Sequence, residues 1–329
     1  MNRKKIVVLG TGGTIAGTAA RSSDHLGYVS AQRGVDELLA AVPDLGQVPF
    51  ELLSEQVAQI DSKDMDFTVW QTLLRRCAHW LERDDVKGLV VTHGTDTLEE
   101  TAYFLQAVLA PSKPVVLTCA MRPATAIGAD GPQNLLDALV VAAHEGARGV
   151  VAVCAGTLHS AWDVQKVHTW RLDAFSSGDA GSLGHVVHGR LYLTRDWPRQ
   201  PVARAQGLFE QVIHEVDWPR VEIVVSHAGA NGATVDALVS AEVAQGFGAP
   251  PVRGVVVAGT GNGTLHHALE AALRRAQACG VRVVRATRCC DGRVVPVAAQ
   301  FIPDSNGLSA VKARVAMALE LIALRQVVG

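Results

Sequence analysis

Two apolar runs that each break on a glycine-flanked threonine constrain this chain more than any other feature. Ile6-Val7-Val8-Leu9 enters Gly10-Thr11-Gly12-Gly13-Thr14-Ile15-Ala16-Gly17, and Leu89-Val90-Val91 enters Thr92-His93-Gly94-Thr95-Asp96-Thr97. A short continuous apolar run is the pattern of a parallel strand buried on both faces. Each run is therefore expected to be such a strand, passing through a turn into a helix. Open α/β sheets bind ligands beyond the carboxyl ends of their strands. Two threonine hydroxyls on tight glycine turns, with Asp96 beside one of them, point to nucleophilic chemistry.

The rest of the chain extends this α/β reading. Further strands are expected over 114–118 and 149–154, separated by helices over 35–41, 69–81, 98–109 and 134–144. That alternation is the signature of a parallel sheet covered on both faces. Thr97 with Glu100 reads as a capping box, and Asp130-Gly131-Pro132 as an N-cap with proline in the first turn. The character changes over 195–219, where Trp197-Pro198, Gln200-Pro201 and Trp218-Pro219 punctuate a polar stretch. A larger N-terminal domain (1–194), a linker (195–219) and a smaller C-terminal α/β domain (220–329) are expected, in keeping with a length of 329 residues. In the second domain the expected strands are 221–226, 252–258 and 281–286, and the helices 235–245, 264–279 and 310–327.

Composition removes several function classes. A formal net charge of -2 leaves no basic footprint for nucleic acid or an anionic membrane. The apolar stretches are strand-sized, far short of a membrane span. The basic start Met1-Asn2-Arg3-Lys4-Lys5 before Ile6 imitates a signal peptide, but the apolar run breaks at Gly10, so a cytoplasmic location is expected. Six cysteines show no CxxC spacing and read as reduced, mostly buried thiols. His185/His188 and His266/His267 come closest to metal-ligand spacing but lack further ligands, so no metal is expected. Gly10-x-Gly12 suggests a dinucleotide turn, yet Ile15 occupies the third glycine position and Asp36 sits in a helix start; a Walker loop is absent. No organic cofactor is expected either.

A threonine nucleophile needs a base or a lowered pKa. The chain offers Tyr28, in the polar loop 18–30 just after Thr14, and Lys166, beyond the fourth strand. A lysine near Asp96 can order or shuttle a proton on Thr95. Taken singly, a lysine is ordinarily a solvated charge and a tyrosine a packing residue, so composition does not choose these partners.

Longer motifs do. Thr11-Gly12-Gly13-Thr14-Ile15-Ala16-Gly17 and His93-Gly94-Thr95-Asp96-Thr97-Leu98-Glu99-Glu100-Thr101-Ala102 resemble the two signatures of the bacterial-type L-asparaginase family, threonine amidohydrolases. Ala120-Met121-Arg122-Pro123, Ala129-Asp130-Gly131-Pro132, Gly259-x-Gly261-Asn262-Gly263 and Lys312-Ala313-Arg314 carry the resemblance along essentially the whole chain. It implies hydrolysis of asparagine without a cofactor, with Thr14 attacking and Tyr28 assisting from a lid over 18–32. Thr95, Asp96 and Lys166 match the second catalytic group. The implied substrate-binding set is Gly13, Asp61, Ser62, Gly94, Thr95, Asp96 and Ala120, with Ser62 on the α-carboxylate and Asp96 on the ammonium. The resemblance also implies a homo-oligomer, a dimer of dimers.

Some positions depart from the family pattern. Lys63 stands where many members carry glutamine, and Thr264 replaces an asparagine that some contribute from a neighbouring subunit. No glutamate occurs between Cys289 and Val311, where members supply one from the partner. These changes imply altered amino-group recognition and weak or no glutaminase activity. Cys77 matches a half-cystine of some periplasmic members, but Ala110-Pro111 fills its partner region, which implies a free thiol. Alternatives are a glutaminase-asparaginase, an amidotransferase subunit (disfavoured because the first strand starts so close to Met1), and a non-catalytic amino-acid binder. The retention of both threonines with Tyr28, Asp96 and Lys166 argues against the binder.

Overall fold

A computed structural model describes residues 3–42, 45, 50–198, 207–246, 248–297 and 301–325. The chain divides into two compact units, Met1–Arg204 and Ala205–Gly329. The first begins with β1 (Lys5–Gly12), a short hairpin of β2 (Thr18–Ala19) and β3 (Tyr28–Val29), and α1 (Val35–Ala40). There follow β4 (Glu51–Ile60), α2 (Phe67–Leu81), β5 (Val86–Thr92), α3 (Leu98–Leu109), β6 (Pro114–Thr118), α4 (Gly131–Ala143) and β7 (Gly149–Cys154). The unit ends with β8 (Thr157–Ser160), β9 (Gln165–Lys166), β10 (Phe175–Ser176), β11 (Gly184–Val187) and β12 (Arg190–Leu193).

Eight of these strands form one sheet in the order β12-β11-β8-β7-β6-β5-β1-β4. The pairings among β1, β5, β6 and β7 are parallel, as expected, and β4, a strand the sequence reading lacked, adds to β1 in parallel at the sheet edge. Beyond β7 the sheet continues antiparallel, which the sequence reading lacked. The reason is loop length. Only Ala155 and Gly156 separate β7 from β8, enough for a hairpin, whereas a parallel return needs a crossover of about a dozen residues. On one sheet face Ile6 and Val8 pack with Val35 and Leu38 of α1 and with Leu135, Ala138, Leu139 and Ala142 of α4. On α2 and α3, the Trp70 and Phe104 rings stack with centroids 4.7 Å apart.

The first glycine turn does not lead into an α-helix. Thr14–Ala16 forms a single 3-10 turn, Gly17 returns to extended backbone, and the hairpin follows; α1 begins only at Val35. The two proposed caps also differ. Thr97 and Asp130 occupy the N-cap positions of α3 and α4 without side-chain capping bonds. Thr97 Oγ1 donates instead to Ser62 O at 2.8 Å, and the Asp130 carboxylate accepts from the amides of Met121 and Arg122, each at 2.9 Å. Both residues join loops around the strand ends rather than terminate helices.

In the second unit, α5 (Leu208–His214) occupies part of the stretch read as a linker. Then come β13 (Arg220–Val225), α6 (Ala233–Val239), α7 (Ala241–Gly246), β14 (Val252–Gly259), α8 (His267–Ala278), β15 (Arg282–Thr287) and α9 (Ala310–Leu324). The parallel sheet β13-β14-β15 buries Val255 and Val257 against Leu269 and Leu273 of α8 on one face, and Val256 against Ala313 and Met317 of α9 on the other. The helix expected over 235–245 is interrupted where Ser240 is extended. The one expected from 264 starts at His267, because Thr260 and Thr264 bridge each other first. Residues 326 and 327 of the last expected helix, and Gln200-Pro201, lie outside the described residues.

Candidate active site

Strands β1 and β5 are neighbours with Gly10 opposite Thr92, so their carboxyl-end turns lie side by side. Contact between those turns is backbone on backbone. Gly13 has φ 81°, and a Cβ there would sit 2.4 Å from the Cα and N of Gly94. A Cβ on Gly94 would in turn sit 2.4 Å from Ser62 Oγ. Glycine at both positions is what lets three loops, from β1, β4 and β5, converge.

Thr14 is buried, and its Oγ1 lies 2.7 Å from the Tyr28 hydroxyl. Tyr28 is held by the β2–β3 hairpin, in which it pairs with Ala19. Several bonds tie the stretch 18–32 to its surroundings, among them Gln32 N to Ala16 O (2.7 Å) and Gln59 Nε2 to Ala31 O (2.8 Å). Ala19 N donates to Thr125 Oγ1 (2.8 Å), Ile127 N to Ser22 O (2.8 Å), and Ala31 N to Gly13 O (3.1 Å).

The second cluster is built on Thr95. Lys166 Nζ donates to Thr95 Oγ1 at 2.7 Å and to Asp96 Oδ1 at 2.6 Å. Thr95 Oγ1 and Asp96 Oδ1 are 3.5 Å apart, beyond a good O–H···O bond. The Thr95 hydroxyl proton is thus not firmly committed to the carboxylate. A short antiparallel pairing, Lys166 with Phe175, fixes the lysine backbone. Lys166 is mostly covered while the Asp96 side chain is half exposed, so the ion pair opens to solvent at its acidic end.

Ser62 is buried, and its Oγ accepts from Asp96 N at 3.2 Å. Beside it, Asp61 accepts from Lys63 Nζ at 2.8 Å, and Asp64 lies 3.5 Å from the same ammonium. Lys63 is therefore a neutralised, largely exposed cation rather than a bare one. Partial burial pushes the Asp61 carboxyl up, but bonds from Lys63 and Ser30 outweigh it and hold the group below its usual range. Ala120 is fully buried beside Gly131, where Ile15 also packs.

Behind Thr95 lies a network that the sequence reading did not single out. His93 is fully buried; its Nδ1 is 2.7 Å from Gly94 O, and its Nε2 is 2.9 Å from Thr101 Oγ1. Thr101 Oγ1 also accepts from Trp70 Nε1 at 2.8 Å. Burial pushes the His93 imidazole down to about 4, with the Gly94 carbonyl pulling it partly back. Its signal in the sequence is a polar ring just beyond the apolar run Leu89-Val90-Val91. In the second unit, Thr264 exchanges backbone bonds with Thr260, and their hydroxyls are 2.8 Å apart. Among the described residues no three His, Cys, Asp or Glu side chains converge as metal ligands.

Comparison with known proteins adds an independent line. Residues 5–199 match the family model described as Asparaginase, N-terminal, and residues 220–324 match the Glutaminase/Asparaginase C-terminal domain. The chain is 37% identical to L-asparaginase 2 of Bacillus subtilis over 96% of its own length and 82% of that protein. It is likewise 37% identical to the glutaminase-asparaginase of Pseudomonas fluorescens, over 88% and 77% of the two chains. A probable cytoplasmic L-asparaginase from Campylobacter jejuni, known from its crystal structure, superposes with a TM-score of 0.84 at 33% identity, covering 97% of this chain and 95% of the other.

Proposed function

The chain belongs to the asparaginase family, matched in both its N- and C-terminal parts, and on that premise we propose that it hydrolyses L-asparagine to L-aspartate and ammonia through an ester on Thr14. The observation that carries this reading is the pair of hydroxyl clusters, Thr14–Tyr28 and Thr95–Lys166–Asp96, brought together where Gly13 abuts Gly94. Thr14 Oγ attacks the side-chain amide carbon with Tyr28 assisting; the C–N bond breaks and the nitrogen leaves as ammonia. Water then attacks the ester, releasing aspartate and restoring Thr14. Two easier steps replace one difficult step. Lys166 donates to Thr95 Oγ1, which leaves the Thr95 proton free to pass to the departing nitrogen, and the proton that Thr14 gives up through Tyr28 takes its place on Thr95. Ser62 and Asp61 flank the pocket for the α-carboxylate and ammonium, with Asp96 as the principal ammonium partner and the backbone at Gly13, Gly94 and Ala120 lining the amide. No cofactor takes part.

Asparagine is the preferred substrate. Glutamine is longer by one methylene, and with Thr264 committed to Thr260 and no glutamate between Cys289 and Val311, fewer groups remain to hold it in line. The unpaired cysteines are consistent with a cytoplasmic protein, and assembly into a dimer of dimers follows the family resemblance. Ammonia release from asparagine and from glutamine, with Thr14→Ala as control, tests the reading. Thr14→Ala is expected to lower kcat by several orders of magnitude while the protein stays folded; unchanged turnover removes Thr14 from the mechanism. Comparable kcat/KM for the two amides makes the protein a glutaminase-asparaginase instead.

A further inference from the structure

Hydrogen-bond chemistry fixes the state of every group in the buried Trp70–Thr101–His93 chain. A carbonyl oxygen only accepts, so His93 Nδ1, 2.7 Å from Gly94 O, carries the ring proton and donates it there. The buried ring is neutral, so Nε2 is the acceptor, and the Thr101 hydroxyl donates to it while accepting from the indole N–H of Trp70. That carbonyl belongs to the peptide linking Gly94 to Thr95. In a trans peptide the C=O and the following N–H point in opposite directions, and the described chain contains no cis bond. With the Gly94 carbonyl drawn to the buried ring, the Thr95 N–H faces away from it. Among the described residues that N–H donates to no group.

We propose that His93 is a positioning residue: it anchors the Gly94 carbonyl on the core side and so aims the Thr95 N–H at the oxygen that becomes negative when Thr14 attacks. The inference rests on the proposed amide hydrolysis. His93 itself neither gives nor takes a proton in the reaction; burial keeps it neutral throughout the neutral range. Its contribution is preorganisation, because a donor already aimed needs no rearrangement as charge develops. The next peptide is fixed as well, since Asp96 N donates to Ser62 Oγ. Thr95 N–H is thus held between two anchored neighbours.

Two isosteric substitutions separate this role from simple packing. Asparagine places a nitrogen where Nδ1 lies, and glutamine places one near Nε2. His93→Asn therefore keeps a donor for Gly94 O, whereas His93→Gln keeps the link to Thr101 and loses that donor. Removing an oxyanion donor outright costs about 10²–10³ in kcat, and misaiming one is expected to cost about 10- to 100-fold. His93→Gln should show that fall in kcat with KM changed by less than about threefold, and His93→Asn should recover most of it. The pH profile of kcat should keep its shape in both. Equal losses in the two variants, or a fall that simply follows the thermal midpoint, overturns the proposal. Nitrogen-15 NMR of the imidazole gives a readout independent of turnover and of folding in the variants. The wild-type ring should show the Nδ1–H tautomer, and the Nε2–H form overturns the inference. A wild-type protein with no amidase activity fails the hydrolysis reading, whereas an active wild type with an unaffected His93→Gln fails this inference alone.

Discussion

Asp96 and Lys166 show how one pair of side chains can be both held and available. Their bond is 2.6 Å long, yet the carboxylate is half exposed and the ammonium shares its protons with Thr95. A pair open to water on its acidic side adds little to stability, so its value lies in where it places the Thr95 hydroxyl. His93 is the opposite case, a fully enclosed ring whose protonation is opposed by burial down to about 4. The sign of its effect on stability follows directly. Below the ordinary histidine value near 6.5 the unfolded chain binds a proton that the folded chain refuses, so stability falls as pH drops from there toward 4. Integrated to about pH 5, the loss is on the order of 2 kcal/mol. His93→Asn lacks this titration. Urea unfolding at about pH 7.5 and about pH 5 should therefore show wild type losing more stability than the variant, with the gap between them narrowing in acid. A constant gap removes the buried, neutral histidine from the account.

At the scale of elements, the hairpin 18–32 carries Tyr28 to Thr14. Thr125 clasps its first strand, accepting from Ala19 N at 2.8 Å and facing Ala19 O at 3.4 Å, while Gln59 Nε2 donates to Ala31 O at 2.8 Å at its far end. Thr125→Val keeps the shape and removes the acceptor. It is expected to lower kcat/KM by about three- to tenfold, roughly the worth of one hydrogen bond near 1 kcal/mol, and to speed proteolysis within 18–32. Protection of that segment by aspartate should survive in wild type and weaken in the variant; cleavage that is identical in both discounts the clasp. The sequence made some elements legible and hid others for physical reasons. β1, β5, β6 and β7 are buried on both faces, so continuous apolar runs announce them. β4 is the sheet edge with partly exposed side chains, and Glu51-Leu52-Leu53-Ser54-Glu55-Gln56 carries no such run. Thr97 and Asp130 satisfied the local rules for helix caps, but tertiary bonds to Ser62 and to the Met121 and Arg122 amides took their side chains. Thr14, Thr95, Asp96 and Lys166 were legible through the motifs, whereas the Trp70–Thr101–His93 chain joins two helices to a strand end and leaves no local spacing to read.

Across the whole molecule, the cysteines separate into two populations that the expectation of mostly buried thiols did not foresee. Cys77, Cys119 and Cys154 are buried, and Cys279, Cys289 and Cys290 are exposed. The divide follows the fold: the first three sit on a core helix and at the ends of central strands, and the others follow α8 and β15 in the second unit. Burial pushes the Cys77 thiol well up, and the Cys119 thiol rises beside Cys154, whose sulfur is 3.1 Å away. The thiolate is the nucleophile that attacks a thiol reagent, so these groups are doubly protected, by access and by protonation. Cys119 also adjoins Ala120 in a loop of the candidate site, and Asn134 Nδ2 donates to the Cys119 carbonyl at 2.9 Å, so reaching its sulfur requires the strand end itself to open. A native titration with an aromatic disulfide reagent is expected to consume no more than the three exposed thiols, and the full six only after denaturation. Assembly into oligomers can lower the native count but cannot raise it, because association covers surface and leaves cores closed. Rapid native reaction of Cys119 or Cys154, identified by mass mapping, would mean that the β6–β7 end breathes on the timescale of labelling. Activity measured alongside should then fall with modification of Cys119.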